Sequence, residues 1–376
     1  MGLMDKMTQC WGALLVLAVG LALSQLAGAA QTVDLYRTQV LVTSQSTAER
    51  GRAAAQGLAE ILTRVSGQAD ANRRPAVRQA LKTANRYLSE FSYASTDETL
   101  ERAGEERPAT RLLLAFSPAL VDKLLRQAQL PAWPANRPTL MVWLVADDVS
   151  QGRHLVEDEE SLDVLRKAAQ RRGLPIVTPL LDLEDRVAIS AADLWSFDEA
   201  KLQAASARYQ ADAILVGRYS QTSRGRWLAS WQLLHKQGDG AFDSRRDQLT
   251  EVMNNGIDQV ADHMAGLYAI VPRDSAFDRV VLQVAGVHDF AAYRATLDYL
   301  QRLRMVRRAT LRSVQGQALE LTLQTEGELS LLLDTLALDN KLVPVESVPD
   351  GSMSLPGNRY LPRGSEQNPL LLRWAG

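Results

Sequence analysis

Residues 130–145 read LPAWPANRPTLMVWLV, and no other stretch of this chain constrains the fold as strongly. The prolines Pro131, Pro134 and Pro138 each fix φ and lack an amide donor, so the segment predicts an extended, semi-rigid connector and excludes a helix. The run that follows, 140–145, is apolar on both of its alternating faces, which is typical of a central strand covered on both sides. A stiff joint leading into such a strand indicates at least two layered domains.

The joint, assigned to 131–138, also contains Trp133. An indole at such a position can bury a large area, and we expect it to pack against the nearer of the two domains. Residues 31–130 before the joint and 139–272 after it are therefore predicted to be separate domains.

The first thirty residues have the pattern of a secretory signal peptide. Lys6 lies in a short n-region before the apolar run Trp11–Leu23, and small residues beyond that run provide a cleavage site near Ala29 or Ala30. The run is shorter than the roughly 20 residues of a spanning helix, although an uncleaved anchor is the alternative. We expect export to the periplasm of a Gram-negative cell, with removal of 1–30 and no transmembrane segment afterwards.

Composition and motifs exclude several classes of protein. The single cysteine, Cys10, falls inside the predicted signal, so neither disulfides nor thiolate–metal sites are expected in the mature chain. A net charge of -2 argues against general nucleic-acid binding. The sequence also lacks paired-histidine metal motifs, a Gly-x-Ser-x-Gly elbow, a phosphate loop and a dinucleotide fingerprint, so we predict no cofactor and no metal.

The domain 31–130 is predicted to be α+β. Ser46 and Glu49 have the spacing of a capping box before a helix that Gly67 ends. Pro75 is predicted to open a second helix that continues to Phe91, because its apolar residues recur at about 3.6. The remaining predicted elements are a strand at Val33–Val42, a strand at Thr110–Phe116 and a helix after Ser117-Pro118.

The rest of the chain predicts two further domains and a tail. Domain 139–272 is read as the strand 140–145, helix Glu157–Arg172, strand Leu174–Leu181, helix Ala191–Tyr209, strands Ala213–Tyr219 and Trp227–His235, and helix Asn255–Tyr268. Strands alternating with helices indicate an α/β sandwich with a mixed sheet. Domain 276–348 has the βαββαβ order of a ferredoxin-like unit. Residues 349–376 are assigned to a largely disordered tail, although Leu370–Trp374 is apolar enough to dock. The predicted fold class is thus mixed α+β and α/β.

Two stretches resemble a family of exported Gram-negative proteins known as domain of unknown function 2066 (DUF2066). They are Arg50 with the helix ending Leu62-Thr63-Arg64-Val65-Ser66-Gly67, and the joint Leu130-Pro131-Ala132-Trp133 with Arg137-Pro138 before Val142-Trp143-Leu144-Val145. The resemblance covers nearly all of the chain after the signal. It implies an exported protein and transfers no catalytic residue.

A second likeness, at the level of fold, is to periplasmic accessory domains of envelope machines. Examples are the N-terminal domain of the Tol translocation protein and the activators of peptidoglycan synthases. The likeness rests on Tyr209–Gly217, where a helix runs into a strand.

An acidic pair is the first candidate site. Asp147 and Asp148 follow the first buried strand of the central domain, where open α/β sheets place ligand sites. Paired carboxylates there could hold a divalent cation or act as acid and base, with His154 nearby in the sequence. The alternative is that the aspartates end the strand and start a turn for backbone reasons.

A basic stripe is the second candidate. Arg74, Arg78, Lys82 and Arg86 recur at intervals of four on the predicted second helix, opposite its apolar face. Such a stripe would suit phospholipid headgroups, lipopolysaccharide phosphates or an acidic protein. The alternative is a solvated helix face that binds nothing.

These observations predict a soluble periplasmic protein that acts without catalysis, as an adaptor or accessory factor in cell-envelope assembly or maintenance. Its expected partner is an envelope protein or an anionic envelope surface, and not nucleic acid. The rival prediction is an envelope hydrolase or transferase that uses Asp147 and Asp148. The two hypotheses differ in whether those carboxylates converge with His154 in a pocket or cap turns.

Overall fold

The part of the chain that the structure describes contains ten α-helices and three β-sheets. The structure is a computed structural model, and it describes residues 33–102, 104–271, 278–326, 329–345 and 363–376. The predicted signal peptide and the first half of the predicted tail lie outside these ranges. The described residues form one compact unit.

The secondary structure follows in chain order. The helices are α1 (Thr47–Ser66), α2 (Pro75–Leu81), α3 (Pro118–Gln127), α4 (Glu159–Arg172), α5 (Leu183–Ala188), α6 (Ala191–Ser196), α7 (Glu199–Ser206), α8 (Leu249–Tyr268), α9 (Phe290–Arg302) and α10 (Leu329–Asp339). The strands are β1 (Arg37–Val42), β2 (Leu88–Arg102), β3 (Glu105–Phe116), β4 (Leu140–Asp148), β5 (Gly152–Leu155), β6 (Ile176–Val177), β7 (Ala213–Gln221), β8 (Trp227–His235), β9 (Gly240–Arg246), β10 (Asp278–Ala285), β11 (Val306–Gln315), β12 (Ala318–Thr325), β13 (Leu342–Pro344) and β14 (Leu370–Trp374).

The first sheet is antiparallel, with the order β1-β3-β2, and α1 packs on one of its faces. The start of α1 departs from the predicted capping box in one respect. Ser46 accepts a hydrogen bond from the Glu49 amide, but the Glu49 carboxylate does not return to Ser46. It accepts instead from the Ser44 hydroxyl at 2.6 Å and the Arg102 guanidinium at 2.6 Å. The guanidinium is a cation and therefore a stronger donor than the backbone amide of Ser46.

The predicted second helix is wrong beyond its first two turns. The helix α2 ends at Leu81, a short 3-10 turn covers Ala84–Tyr87, and Leu88 begins the long strand β2. Leu88 and Phe91, assigned to the helix from their spacing, pair instead with β3. Pairing with a distant strand therefore overrides a local helical pattern here.

The second sheet has the order β5-β4-β7-β8-β9, with β6 beside the start of β4. The strand β4 runs parallel to β6 and β7, and the other pairs are antiparallel. Alternate residues of β4 enter two different cores, one against α4 and α8 and the other against α6 and α7. The mixed, doubly covered sheet predicted from the run at 140–145 is confirmed.

Three element boundaries in and around the second sheet differ from the prediction. The predicted helix Ala191–Tyr209 is broken where Phe197 adopts a left-handed φ of 55° and Asp198 caps the next helix. The predicted strand Leu174–Leu181 shrinks to the two residues of β6, since prolines within it cannot donate to a ladder. The last helix starts six residues earlier than predicted, at Leu249 rather than Asn255.

The third sheet has the order β11-β12-β10-β14-β13. The order of β10 to β13 along the chain, with α9 and α10 between them, matches the predicted βαββαβ unit. The strand β14 lies between β10 and β13, parallel to β10 and antiparallel to β13. Leu370 and Leu372 are each 1% exposed, so this part of the predicted tail is an internal strand of the sheet.

The proline joint lies between the ends of two helices. Trp133 is fully buried, and its amide donates to the Val65 carbonyl in α1 at 2.7 Å. Ala132 and Ile270, just after α8, exchange two backbone hydrogen bonds at 2.8 and 2.9 Å. The connector is thus held on both sides by backbone contacts.

Arg137, also in the joint, is fully buried and forms no ion pair among the described residues. Its guanidinium donates to the backbone carbonyls of Arg64 (2.6 Å), Arg172 (2.7 Å), Gly173 (2.9 Å), Pro134 (3.0 Å) and Trp133 (3.4 Å). Three of these carbonyls belong to the C-terminal ends of α1 and α4, where the helix dipole is negative. Burial lowers the pKa of Arg137, and these dipoles stabilise its charge.

Candidate functional site

Asp147 and Asp148 lie at the turn between β4 and β5, and their side chains are engaged there. The Asp148 carboxylate accepts from the amides of Ser150 at 2.7 Å and Gln151 at 2.8 Å, which is an Asx-type turn. Hydrogen bonding, first from the Ser150 hydroxyl, lowers the pKa of Asp148. Asp147 forms an ion pair with Arg153 at 3.1 Å.

His154 lies close to only one of the two aspartates. Its Nδ1 atom is 3.5 Å from Asp148 and 3.0 Å from the Gly152 carbonyl. Adjacent strand residues point to opposite faces, so Asp147 faces away from this pair. The described residues contain no cluster of three or more His, Cys, Asp or Glu side chains with the geometry of a metal site. The three residues thus form a hairpin turn, and the hydrolase or transferase hypothesis finds no support in their geometry.

The four cations of the predicted stripe do not share one helix. Arg74 caps α2, Arg78 lies within it, Lys82 follows it, and Arg86 lies in the 3-10 turn before β2. All four side chains are exposed, and none forms an ion pair with a described carboxylate. The predicted regular stripe is wrong because the helix ends early, but the cations remain on the surface near the first sheet.

The stripe predicted from the sequence omitted part of this positive charge. No acidic residue occurs between Asp70 and Glu90, whereas five cations do. They are Arg73, Arg74, Arg78, Lys82 and Arg86, and we call them the basic face. The helix α3, which packs beside α2, adds the exposed side chains of Lys123 and Arg126, neither of which forms an ion pair in the described chain. The acid-free interval was the signal in the sequence that could have revealed the full set.

A cleft between the first sheet and α4 shows the opposite electrostatic character. It has a volume of about 910 Å³. Its cations are matched by carboxylates. The pairs are Arg37 with Asp34, Arg64 with Glu60, Arg166 with Glu159, Lys167 with Asp163, and Arg171 with Asp258. Since these charges neutralise one another, the basic face is the better candidate for a charged partner.

Unpaired cations attract anions through a field that extends about 8–10 Å at physiological salt. Five of them within fourteen residues can meet several phosphates or carboxylates at once, as a flat anionic surface presents them. The arrangement therefore favours the binding of an anionic surface. No helix in the described ranges has the length and apolar character needed to cross a bilayer.

Comparison with known proteins places the basic face inside a matched region. Residues 29–134 match the family model of a domain of unknown function (DUF8605). This finding overturns the resemblance to DUF2066, which was wrong. Short alanine-rich and proline–tryptophan stretches such as those around Arg64 and Trp133 meet packing demands that unrelated chains also meet. No curated protein matches the chain.

Two solved structures show limited similarity. The C-terminal domain of LpoB from Salmonella enterica is 17% identical, with a TM-score of 0.23, over 30% of this chain and 83% of that chain. The N-terminal domain of Protein Y from Thermus thermophilus is 14% identical, with a TM-score of 0.17, over 34% of this chain and 94% of that chain.

Proposed function

We propose that this protein is a non-catalytic binding protein of the bacterial cell envelope, an adaptor or accessory factor in the periplasm whose basic face contacts an anionic surface. The observation that carries the proposal is the segregation of charge. Between Asp70 and Glu90 all five charged residues are basic and exposed, and none is neutralised by a described carboxylate.

The location rests on the sequence before the first domain. The n-region, apolar run and small residues up to Ala30 have the pattern of an export signal. The periplasmic side of a Gram-negative envelope presents phosphate-bearing lipid headgroups, which are the chemistry that an exposed set of arginines and a lysine fits.

The non-catalytic character rests on the state of the best catalytic candidates. Asp148 accepts from turn amides and Asp147 pairs with Arg153, so both carboxylates have structural partners, which supports a structural role for them. A general base must reach the proton it removes, and these side chains are committed elsewhere.

Vesicle binding tests the proposal. Purified protein should sediment with vesicles that contain phosphatidylglycerol and not with vesicles of phosphatidylcholine alone, and the association should weaken as salt rises. Reversing Arg78 and Lys82 to Glu should weaken it at least tenfold, because each basic residue near an anionic surface contributes about 1 kcal/mol.

A matched control separates the basic face from net charge. Arg224 and Lys236 are exposed in the central domain and form no ion pair with a described carboxylate. Reversing both to Glu changes the net charge equally and should leave vesicle binding close to that of the wild type. Equal loss in both double variants, or no salt-dependent binding by the wild type, would contradict the proposal.

A further inference from the structure

The second sheet has an uncovered patch beside the ends of its two central parallel strands. The helices α6 and α7 pack on the β4 and β7 side of one face. Leu234 of β8 is buried in the same core, but nearer the carboxyl ends of β4 and β7 the residues of β8 and β9 that point the same way are exposed or half-buried. They are Leu228, Ser230, Asp243 and Arg245. Ligands of open α/β sheets bind outside the carboxyl ends of the strands, and β4 and β7 both end at this patch.

An open cleft of about 550 Å³ occupies this patch, a volume within the usual range for small-molecule sites. Its lining includes Arg218 and Ser220 from β7, Ser230 from β8, Arg245 from β9 and Trp195 from α6. Arg218 and Ser230 are register neighbours, as are Ser230 and Asp243 on the next strand. The polar side chains therefore lie in rows across the floor.

Arg218 is positioned by its neighbours without being neutralised. One terminal nitrogen donates to the Trp195 carbonyl at 2.6 Å, and the guanidinium carbon lies 4.4 Å from the Phe197 ring centroid and 5.7 Å from that of Trp195. Among the described residues no carboxylate forms an ion pair with it. Its remaining N–H donors are available to a ligand, and the aromatic contacts fix its direction.

The cleft lining contains one acidic residue, Asp243, which accepts a hydrogen bond from the Ser230 hydroxyl and has no cationic partner among the described residues. Asp147, outside the lining, is paired with Arg153. Arg245, like Arg218, has no carboxylate partner in the described chain. Two guanidinium groups and the Ser220 hydroxyl thus face a single carboxylate, so the excess of positive charge and of hydrogen-bond donors favours an anionic ligand.

We propose that this cleft binds a small oxyanion, a carboxylate or phosphate group on a hydroxylated body such as an acidic sugar. Arg218 and Arg245 hold the two or three charged oxygens, because a guanidinium fork matches carboxylate and phosphate geometry. The serine hydroxyls bond to hydroxyl groups on the rest of the ligand. This site lies in the second sheet and does not depend on the basic face.

Titration with three probes tests the assignment. Glucuronate carries a carboxylate on a sugar, glucose 6-phosphate carries a phosphate, and glucose carries neither. Calorimetry and the indole N–H resonance of Trp195, assigned with Trp195→Phe, should show saturable binding of at least one anionic sugar and none of glucose. Which anion binds tighter identifies the charged group.

Variants test the residues. Arg218→Gln should weaken the affinity at least tenfold, and Arg245→Gln several-fold, since each removes a charge-assisted contact. Arg224→Gln, in the turn between β7 and β8, makes the same charge change outside the cleft lining and should bind as the wild type does. Because Arg218 also holds α6, the exposed Arg245 provides the test if Arg218→Gln fails to fold. Binding that survives Arg245→Gln unchanged, equal binding of glucose, or no saturable binding of any probe would overturn the proposal.

Discussion

The guanidinium carbon of Arg137 lies 3.9 Å from the ring centroid of Trp133, so a cation lies over an indole four residues away in the interior of the protein. The prolines between and beside them hold the chain extended, which keeps the two side chains in this contact. Arg137 donates to carbonyls at the ends of α1 and α4, and Trp133 packs in the core between the second sheet and the helices α4 and α8. The joint is therefore an internal support and not a flexible connector.

Replacing Arg137 by Met should lower the free energy of unfolding by about 3–5 kcal/mol, because the carbonyls that accept from it would stay buried without donors. Arg137→Lys should fall between Met and the wild type, since one ammonium cannot reach all five acceptors. Urea denaturation gives both values. Arg224→Met, at an exposed turn, should change stability by less than about 0.5 kcal/mol. Wild-type stability in the Arg137→Met variant would show that the carbonyls find other donors.

Gly173→Ala should destabilise the protein more than Gly225→Ala does. Both glycines have positive φ, 66° and 78°, so both substitutions carry the backbone cost of a left-handed alanine, about 1 kcal/mol. At Gly173 the new Cβ would also lie 2.6 Å from the Arg137 guanidinium, whereas at Gly225 no atom lies within 4 Å. The expected difference is about 1–3 kcal/mol by thermal denaturation. Equal effects would mean that Arg137 moves aside freely.

Glu49 should make stability depend on acid pH. Hydrogen bonds from Ser44 and Thr43, together with Arg102, lower the pKa of Glu49 from 4.5 to about 2. A carboxyl with a depressed folded-state pKa stabilises the fold above its unfolded pKa, and this contribution is lost as the pH falls from 4.5 towards 2. Denaturation at a series of pH values should show a shallower loss for Glu49→Gln than for the wild type. Glu106→Gln, an exposed carboxyl of β3, should keep the wild-type slope.

Leu372→Asp and Leu371→Asp should differ sharply although they are neighbours. Leu372 is 1% exposed in the third sheet, and Leu371 is 38% exposed on the opposite face of β14. A carboxylate at 372 would be buried without a partner, so we expect a loss of about 3–5 kcal/mol or an unfolded third sheet. Aspartate at 371 should cost less than about 1 kcal/mol. Amide hydrogen exchange in β10 and β13 reports the outcome, and similar protection in both variants would argue against β14 as an internal strand.

Elements whose signals are local could be predicted from the sequence. The helix α1 has its cap, its apolar repeat and its terminal glycine within about twenty residues, and β4 shows a doubly apolar run. The mixed α+β class followed from such elements and is confirmed. The end of α2 could not be found this way, because Leu88 and Phe91 suit a helix by spacing and only the pairing of β2 with β3 decides against it.

The candidate sites show the same difference between local signals, which the sequence reveals, and contacts between distant segments, which it does not. Asp147 and Asp148 were placed correctly at the end of β4, but hydrogen bonds from Ser150 and Gln151 decide their role, and those depend on the path of the turn. The cations from Arg74 to Arg86 are exposed although the helix assumed for all of them ends at Leu81. The cleft at Arg218 joins residues from three strands and a helix, so no window of sequence contains it.

The third sheet can be completed only after β14, its last strand along the chain, has been synthesised. About 85 residues separate the end of β10 from the start of the strand that lies beside it. As the chain is synthesised, β10 exists long before β14, and its free edge and the apolar side chains that β14 will cover stay open in the meantime. Open strand edges of this kind recruit strands from other chains, so the domain is most exposed to misassociation in the interval before Leu370 emerges. A chain that stops short of that residue would keep the edge open permanently.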